Sequence, residues 1–278
     1  MKKIVIVLTC LFVCVLSGCN EKANVLNETY QNSQEVKEEY LGKEEVSDIQ
    51  EESNEPETVS EEKTEKRGNI EGKIILVDAG HGIAKESRQE LIAPDSVEKK
   101  PAFVSGTRGK NQTEEELNLN VALKLEKALK ECGATVYMTR TTHETDVSNI
   151  GRAELGNDAN ADISVKIHAD GNNNTSVKGV CMLVPGNKHI KDGDVIKKSR
   201  RAGEIILAEV VNETKADNRG ISVRNDMTGF NWSKVPVILL EMGFMTNPEE
   251  DKLLETSEYQ DKIVRGIVNG LEIYFSGE

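Results

Sequence analysis

The sequence predicts an α/β domain in which a β-sheet is covered by helices. From about Glu71 onwards, short apolar runs of strand length alternate with segments whose apolar residues repeat at helical spacing. Several predicted strands end in a histidine or a glutamate, and open α/β sheets collect functional groups at the carboxyl ends of their strands. About 210 residues follow Gly68, which is enough for one such domain.

The first strand and the first helix have the clearest signals. Residues 73–78 (KIILVD) form a short apolar run that stops at Ala79-Gly80, as expected of a buried strand. Residues 113–130 predict an amphipathic helix, because apolar residues recur there at every fourth position: Leu117, Val121, Leu125 and Leu129. Thr113 with Glu116 three residues later forms the capping-box pattern of a helix start.

The remaining elements continue the alternation. Apolar runs predict strands at residues 135–138, 163–168, 180–184 and 236–240. Helices are predicted at residues 149–160, 198–212 and 258–274. A short helix is expected to begin at Asn247-Pro248, since asparagine suits the cap position and proline the first turn.

The N-terminus has the pattern of a secretory signal. Lys2 and Lys3 precede an apolar run over residues 4–16, which is too short to span a bilayer as a helix. The run ends in LSGC, with Cys19 last, and this resembles the bacterial lipobox, in which the cysteine becomes the lipidated first residue. Ordinary signal cleavage beside an incidental cysteine is the alternative. Lipidation of Cys19 predicts a protein anchored to the outer face of the bacterial cytoplasmic membrane, facing the cell wall.

The segment after Cys19 carries most of the net negative charge. The whole chain has a net charge of −13, to which Lys2 and Lys3 contribute +2, residues 20–67 −9 and the residues from Gly68 onwards −6. Such a segment, poor in apolar residues, predicts a disordered tether, and a coiled coil is disfavoured because no apolar heptad is sustained. The acidic balance also argues against nucleic-acid binding, which needs a basic surface.

We therefore divide the chain into three parts: a lipoprotein signal peptide (1–18), a lipid-anchored acidic tether (19–70) and one folded domain (71–278). Cys132 and Cys181 are the two cysteines of the folded part. They are able to pair, but two buried thiols are the favoured interpretation, and no cysteine spacing typical of a zinc site exists.

Four residues of the folded part are candidates for a functional site. His81, His168 and Glu241 each follow or end an apolar strand, so their side chains are expected at one edge of the sheet. Glu114 lies three residues before Leu117 on the apolar side of its helix, where a carboxylate is costly unless it has a partner.

Two histidines and one carboxylate, with an open fourth position, are typical of a catalytic zinc site, and a second carboxylate nearby suits proton transfer. Each residue also has a simpler interpretation. His81 is able to serve as a loop residue, His168 as a core histidine, Glu114 as a charge favoured at a helix N-terminus, and Glu241 as a cap of the following turn. Their convergence favours a site.

Four motifs resemble, in order, the catalytic domain of zinc-dependent N-acetylmuramoyl-L-alanine amidases, which are cell-wall autolysins. They are DAGHG (78–82), Glu114 ahead of LNLNVALKL (117–125), ADISVKIHAD (161–170) and LEMGFMTN (240–247). The resemblance covers residue 72 to the C-terminus. It implies a twisted, mainly parallel sheet of about six strands, His81, Glu114 and His168 as zinc ligands, and Glu241 as the catalytic glutamate.

The resemblance also implies the reaction. The substrate would be peptidoglycan, and the amide between N-acetylmuramic acid and the first L-alanine of the stem peptide would be cleaved by a zinc-activated water. A zinc peptidase acting within the stem peptide and a catalytically silent wall-binding lipoprotein are the alternatives. No repeated wall-binding module occurs in the sequence, so capture of the substrate is expected to rest on this domain, on the lipid anchor or on a partner. A regulatory protein partner is left open, and the sequence offers no candidate for it.

Other positions are assigned more weakly. Ala79 and Ile83 depart from the family pattern, which usually has proline and glycine there, but neither residue carries a ligating atom. Residues 84–112 are long, polar and irregular, and are expected to shape the groove or act as a lid. Asp78 and Asp170 are interpreted either as groups that orient a ligand histidine or as turn residues. Arg140 and Arg152 are assigned first to structural ion pairs and second to substrate contacts, and His143 and His189 are assigned to the surface.

Overall fold

A computed structural model describes residues 69–277 of the chain. In chain order its strands are β1 (Ile74–Ala79), β2 (Ile83–Ala84), β3 (Gln89–Leu91), β4 (Lys99–Pro101), β5 (Thr135–Met138), β6 (Glu144–Thr145), β7 (Ile163–Asp170), β8 (Val180–Pro185), β9 (Asn218–Arg224) and β10 (Val237–Phe244). The helices are α1 (Glu114–Glu131), α2 (Asn149–Asp158), α3 (Gly193–Thr214), α4 (Thr228–Asn231), α5 (Pro248–Leu254) and α6 (Ser257–Ser276).

The expected signal peptide, its lipidated Cys19 and nearly all of the tether lie outside the described residues, and they stay predictions. Within residues 69–277, no helix combines the length and apolar character needed to cross a bilayer.

Six of the strands form one sheet in the order β5-β1-β7-β10-β8-β9. Every neighbouring pair is parallel except β10 with β8, which is antiparallel. The predicted α/β fold with a mainly parallel sheet of about six strands is therefore confirmed. The parallel order β1-β7-β10 matters for function, because it brings the carboxyl ends of three separate strands side by side.

The main hydrophobic core lies between the sheet and helices α1, α3 and α6. The four apolar residues predicted to face inward from α1 are all fully buried, with 0% exposure: Leu117, Val121, Leu125 and Leu129. The backbone N–H of Thr113 donates to the Glu116 carboxylate at 2.8 Å, as the predicted capping box requires. The helical phase that places these four residues in the core therefore also fixes where the first turn of α1 points.

Strands β7 and β10 are longer than predicted. They continue to Asp170 and Phe244, beyond the polar residues His168 and Glu241 that we expected to end them. Alternate side chains of a strand point to opposite faces of the sheet, so a polar residue facing a cleft does not end the strand.

The sequence prediction also missed β9, a half-exposed edge strand whose polar residues give no apolar run.

Residues 84–112 are more ordered than their composition suggests. They include the β3–β4 hairpin and the buried residues Ile92 and Ala102. Trp232 donates through Nε1 to the Leu91 carbonyl at 3.0 Å. His189, which was expected at the surface, is half-buried, and its Nδ1 lies 2.7 Å from the Asp95 carboxylate of this segment. Part of the segment therefore packs against the domain, although most of its residues are not buried and lie outside regular strands.

Cys132 and Cys181 remain thiols, and both are half-buried rather than fully buried as expected. Cys181 lies on β8, beside Glu241 of β10. The prediction that they do not pair is confirmed.

Candidate metal centre

The four predicted site residues come together at one edge of the sheet. His81 follows β1, Glu114 is the first residue of α1, and His168 and Glu241 lie opposite each other on the paired strands β7 and β10. His81 and Glu241 are 160 residues apart in the sequence, and the parallel order of three strands brings them together.

Three of these residues present donor atoms to a common point. His81 Nε2 lies 3.0 Å from Glu114 Oε1, His168 Nδ1 lies 3.1 Å from the same oxygen, and the two ring nitrogens are 3.1 Å apart. Donors bound to one tetrahedral zinc at about 2.0–2.1 Å would be roughly 3.3 Å apart. The side chains therefore fit a metal ion of this size with little adjustment. Among the described residues this is the single cluster found with metal-ligand geometry.

The orientation of His81 is fixed from several sides. Its Nδ1 lies 2.7 Å from the Val104 carbonyl, which only accepts, so Nδ1 is the donor of this bond and Nε2 is the ring nitrogen that faces Glu114 and would bind a metal. The backbone of His81 has a φ of 59°, an unusual conformation for a residue with a side chain. Arg152 donates to the carbonyl of His81 at 2.5 Å, and Arg140 donates to that of Gly80 at 2.8 Å. These two buried arginines hold the turn.

Glu114 is 3% exposed and saturated with hydrogen bonds. Its Oε2 accepts the Thr107 backbone N–H at 2.9 Å, while its Oε1 accepts from Asn118 at 3.1 Å and from the Ala169 backbone at 3.2 Å. Burial opposes ionisation, but the hydrogen bonds from the two site histidines prevail and hold the pKa of Glu114 well below its usual range. The carboxylate therefore stays charged and fixed, as a metal ligand must.

Burial lowers the pKa of His168, which favours the neutral ring that a metal requires. The ring packs directly on the backbone of Gly80, where an added Cβ would lie 2.4 Å from it. Gly106 is equally close to the site, since a Cβ there would lie 2.5 Å from Glu114 Oε2 and 2.9 Å from the His81 ring. Glycine at these positions lets the backbone approach the ligands.

Glu241 has the opposite environment to Glu114. Its Oε2 is buried and makes no hydrogen bond within residues 69–277. Burial, with the nearby Glu114 and Asp170 carboxylates, raises the pKa of Glu241 well above its usual value. A buried polar atom without a partner is costly in free energy, and such atoms are typical of functional sites.

Asp78 does not contact a ligand histidine and does not lie in a turn, so both predicted roles are wrong. It is fully buried on β1 and pairs with Lys166 and Arg152, with a third bond from Thr139 at 2.7 Å. These buried cations hold its carboxylate in place. The expected structural roles of Arg152 and Arg140 agree with their contacts, although Arg140 bonds to carbonyls rather than to an acid.

An open cleft of about 410 Å³ surrounds the metal centre. Beyond the four predicted residues, its walls are formed by side chains that sequence reasoning missed: Ser105, Thr107, Asn172, Asn173 and Thr246. The run Gly171-Asn172-Asn173, directly after β7, was a usable signal, because loops after the carboxyl ends of such strands line the site. Ser105 and Thr107 belong to the segment 84–112, which was expected to shape the groove or act as a lid, and the structure places both at the cleft.

A compact triangle of two histidines and one carboxylate, beside an unpartnered glutamate in an open cleft, defines a candidate metallohydrolase. The chain belongs to the N-acetylmuramoyl-L-alanine amidase family, whose sequence profile matches residues 75–273. This is the family that the four sequence motifs resemble, so that prediction is confirmed.

Individual relatives are moderately similar. The uncharacterized protein YqiI of Bacillus subtilis is 28% identical over 208 residues, covering 74% of this chain and 86% of YqiI. The probable cell wall amidase LytH of Staphylococcus aureus is 26% identical over 213 residues, covering 77% of this chain and 62% of LytH.

Solved structures share the fold. The N-acetylmuramoyl-L-alanine amidase from Clostridium difficile 630 is 29% identical with a TM-score of 0.60, covering 74% of this chain and 98% of that one. The amidase Ami1 from Mycobacterium smegmatis has a TM-score of 0.69 at 24% identity, covering 76% of this chain and 100% of that one.

Proposed function

We propose that this chain is a zinc-dependent N-acetylmuramoyl-L-alanine amidase, which cleaves the bond between N-acetylmuramic acid and the first L-alanine of the stem peptide. The amidase family supports hydrolysis of peptidoglycan. The contrast between the two site glutamates carries the finer proposal. Glu114 is saturated with donors and has a lowered pKa, while Glu241 has an unpartnered buried oxygen and a raised pKa.

This contrast assigns the two carboxylates to different tasks. His81 Nε2, Glu114 Oε1 and His168 Nδ1 would hold the ion. Bound zinc supplies a Lewis acid that makes water more acidic and polarises the amide carbonyl. Glu241 takes the proton of the attacking water on its carboxylate and then delivers it to the nitrogen of the leaving L-alanine. Its raised pKa makes the Glu241 carboxylate a stronger proton acceptor, so its proton affinity is closer to that of the attacking water and of the leaving nitrogen.

Substitution of Glu241 by glutamine tests the proton-transfer role. The variant is expected to retain zinc and to lose at least about 10²-fold of its activity, since general acid–base catalysis contributes on that order. Activity is followed by mass spectrometry of the peptides released from peptidoglycan, which identifies a new amino group on L-alanine. The exposed Glu249, on α5, provides the matched control, and Glu249→Gln should act as the wild type does. Full activity of Glu241→Gln would contradict the assignment.

His81→Ala tests the metal assignment. This variant should bind zinc much more weakly, which metal analysis of the purified protein measures directly.

The products of the wild-type protein distinguish the alternatives. Release of peptides that begin within the stem, rather than at L-alanine, would indicate a zinc peptidase. Binding to cell walls without any release would indicate a silent wall-binding protein.

We further propose that the protein works outside the cell, held to the membrane through a lipid on Cys19. Two observations support this location: a signal-like N-terminus that ends in LSGC, and a family that acts on the cell wall. Metabolic labelling with a fatty acid should mark the wild-type protein and leave Cys19→Ala unmarked, with Cys181→Ala as the control. Equal labelling of the wild type and Cys19→Ala would exclude this anchor.

A further inference from the structure

Two clefts meet at the metal centre, and their charges differ. The first is the open cleft of about 410 Å³ described above, and the second has a volume of about 270 Å³. His81 and His168 line both, so the metal centre lies where they join. A substrate that spans the centre would therefore place one end in each cleft.

The first cleft is unsuited to an anionic ligand. Its charged residues other than histidine are three carboxylates, those of Glu114, Asp170 and Glu241, and it contains no lysine or arginine. The rest of its wall offers hydroxyl and amide groups, from Ser105, Thr107, Asn172, Asn173 and Thr246. With a divalent ion bound, these three carboxylates leave the cleft with no excess of positive charge. Neutral hydroxyl-rich ligands are the class that its wall can hydrogen-bond without charge repulsion.

The second cleft has the opposite sign. It is lined by four cationic and two acidic side chains, an excess of two positive charges with neutral histidines: Lys100, Arg152, Lys166, Arg224, Asp78 and Asp226. The domain as a whole is acidic, at −6 from Gly68 onwards, so this excess is local. Arg152 and Lys166 are buried around Asp78 at the floor of the cleft.

Lys100 and Arg224 lie at the accessible rim. Both share the single carboxylate of Asp226, with which Arg224 forms two bonds of 2.8 Å, while Lys100 Nζ is 3.8 Å from the nearer carboxylate oxygen. The side chain of Lys100 is 37% exposed. Its ammonium group donates to the Asp226 backbone carbonyl at 2.7 Å, and its remaining donors are able to take a ligand carboxylate without breaking a close ion pair.

From this asymmetry we infer the direction in which the substrate lies: the glycan occupies the first, neutral-to-acidic cleft, and the stem peptide occupies the second, with a free carboxylate of the peptide beside Lys100. The inference rests on the proposed amidase function, since it assumes a substrate with a sugar on one side of the scissile amide and a peptide on the other. Of the two halves, only the peptide carries carboxylates, and only the second cleft has cations to receive them.

The test compares two muramoyl-peptide substrates that differ in one group, a free carboxylate or a neutral amide on the second residue of the stem. The purified full-length protein is assayed on both, with Lys100→Gln as the variant. We expect Lys100→Gln to raise KM about tenfold more for the carboxylate substrate than for the amide, as loss of one hydrogen bond to a charged group would. Lys99→Gln is the matched control, because Lys99 is the exposed neighbour on β4 and does not line the cleft.

A second variant tests the other cleft. Asn173→Ala should lower kcat/KM for a muramoyl peptide but not for a lactyl peptide that lacks the sugar. The inference is overturned if Lys100→Gln affects the carboxylate and amide substrates equally, if Lys99→Gln reproduces its effect, or if Asn173→Ala loses the same factor on both substrates. A wild-type protein that is inactive on every substrate would instead refute the proposed function, and the inference would fall with it.

Discussion

Replacing Gly106 by alanine would perturb the metal centre without removing any donor atom. The added methyl carbon would lie 2.5 Å from Glu114 Oε2, 2.7 Å from Glu114 Cβ and 2.9 Å from the His81 ring. Carbon atoms pack best at about 3.5–4.0 Å, so the residues must separate by roughly 1 Å. Glu114 Cβ belongs to the rigid first turn of α1, and the carboxylate is held by the backbone of Thr107, so neither yields easily.

We expect Gly106→Ala to weaken zinc binding by about 10–100-fold, the usual cost of disturbing the groups that orient metal ligands. Activity should fall by about 10²-fold at saturating zinc, because a displacement of about 1 Å has that effect on positioned catalytic groups. Zinc affinity is measured by competition with a chromophoric chelator, and unfolding in urea checks that the domain stays folded, with a loss of about 1–3 kcal/mol.

Gly193→Ala is the matched control. Gly193 begins α3, and a Cβ added there would meet no atom within 4 Å. This variant should bind zinc and hydrolyse substrate as the wild type does. Unchanged zinc affinity in Gly106→Ala would refute the argument that close backbone approach fixes the ligand set.

Three further outcomes are expected. Leu125→Ala should lower the free energy of unfolding in urea by about 2–5 kcal/mol, because Leu125 is fully buried in the main core; a loss below 1 kcal/mol would contradict this. Asp78→Asn should cost about 3–5 kcal/mol near pH 7 by leaving two buried cations unpaired. These cations hold the pKa of Asp78 far below its unfolded value of about 3.9. The difference in the free energy of unfolding between the variant and the wild type should therefore shrink as the pH falls below that value. A difference that stays constant would refute the pairing. Treatment with EDTA should abolish activity and added zinc should restore it, so activity that survives metal removal would exclude the proposed metal dependence.

The sequence indicated which four residues would come together, because each occupied a recognisable position in a regular element. Glu114 was separated from its neighbours Glu115 and Glu116 by helical phase alone, and the structure buries it as expected. His168 and Glu241 stood in apolar runs whose strand character was clear, although we placed the ends of both strands too early.

Other features could not be read from local patterns. The partners of Asp78 are Lys166 and Arg152, which lie 88 and 74 residues away, and only the pairing of β1 with β7 and the packing of α2 bring them together. Strand β9 carries Arg224 to the second cleft, but half of its residues are polar and its edge position removes the apolar signal.

The sequence by itself determined the class of fold, the helix phases and the kinds of side chain that converge, because hydrophobic periodicity and chemistry at strand ends are local properties. Only the tertiary structure decided the left-handed backbone of His81, the need for glycine at position 106 and the opposite charges of the two clefts. These features depend on distances between segments far apart in the chain, and such distances are set by the packing of the whole domain.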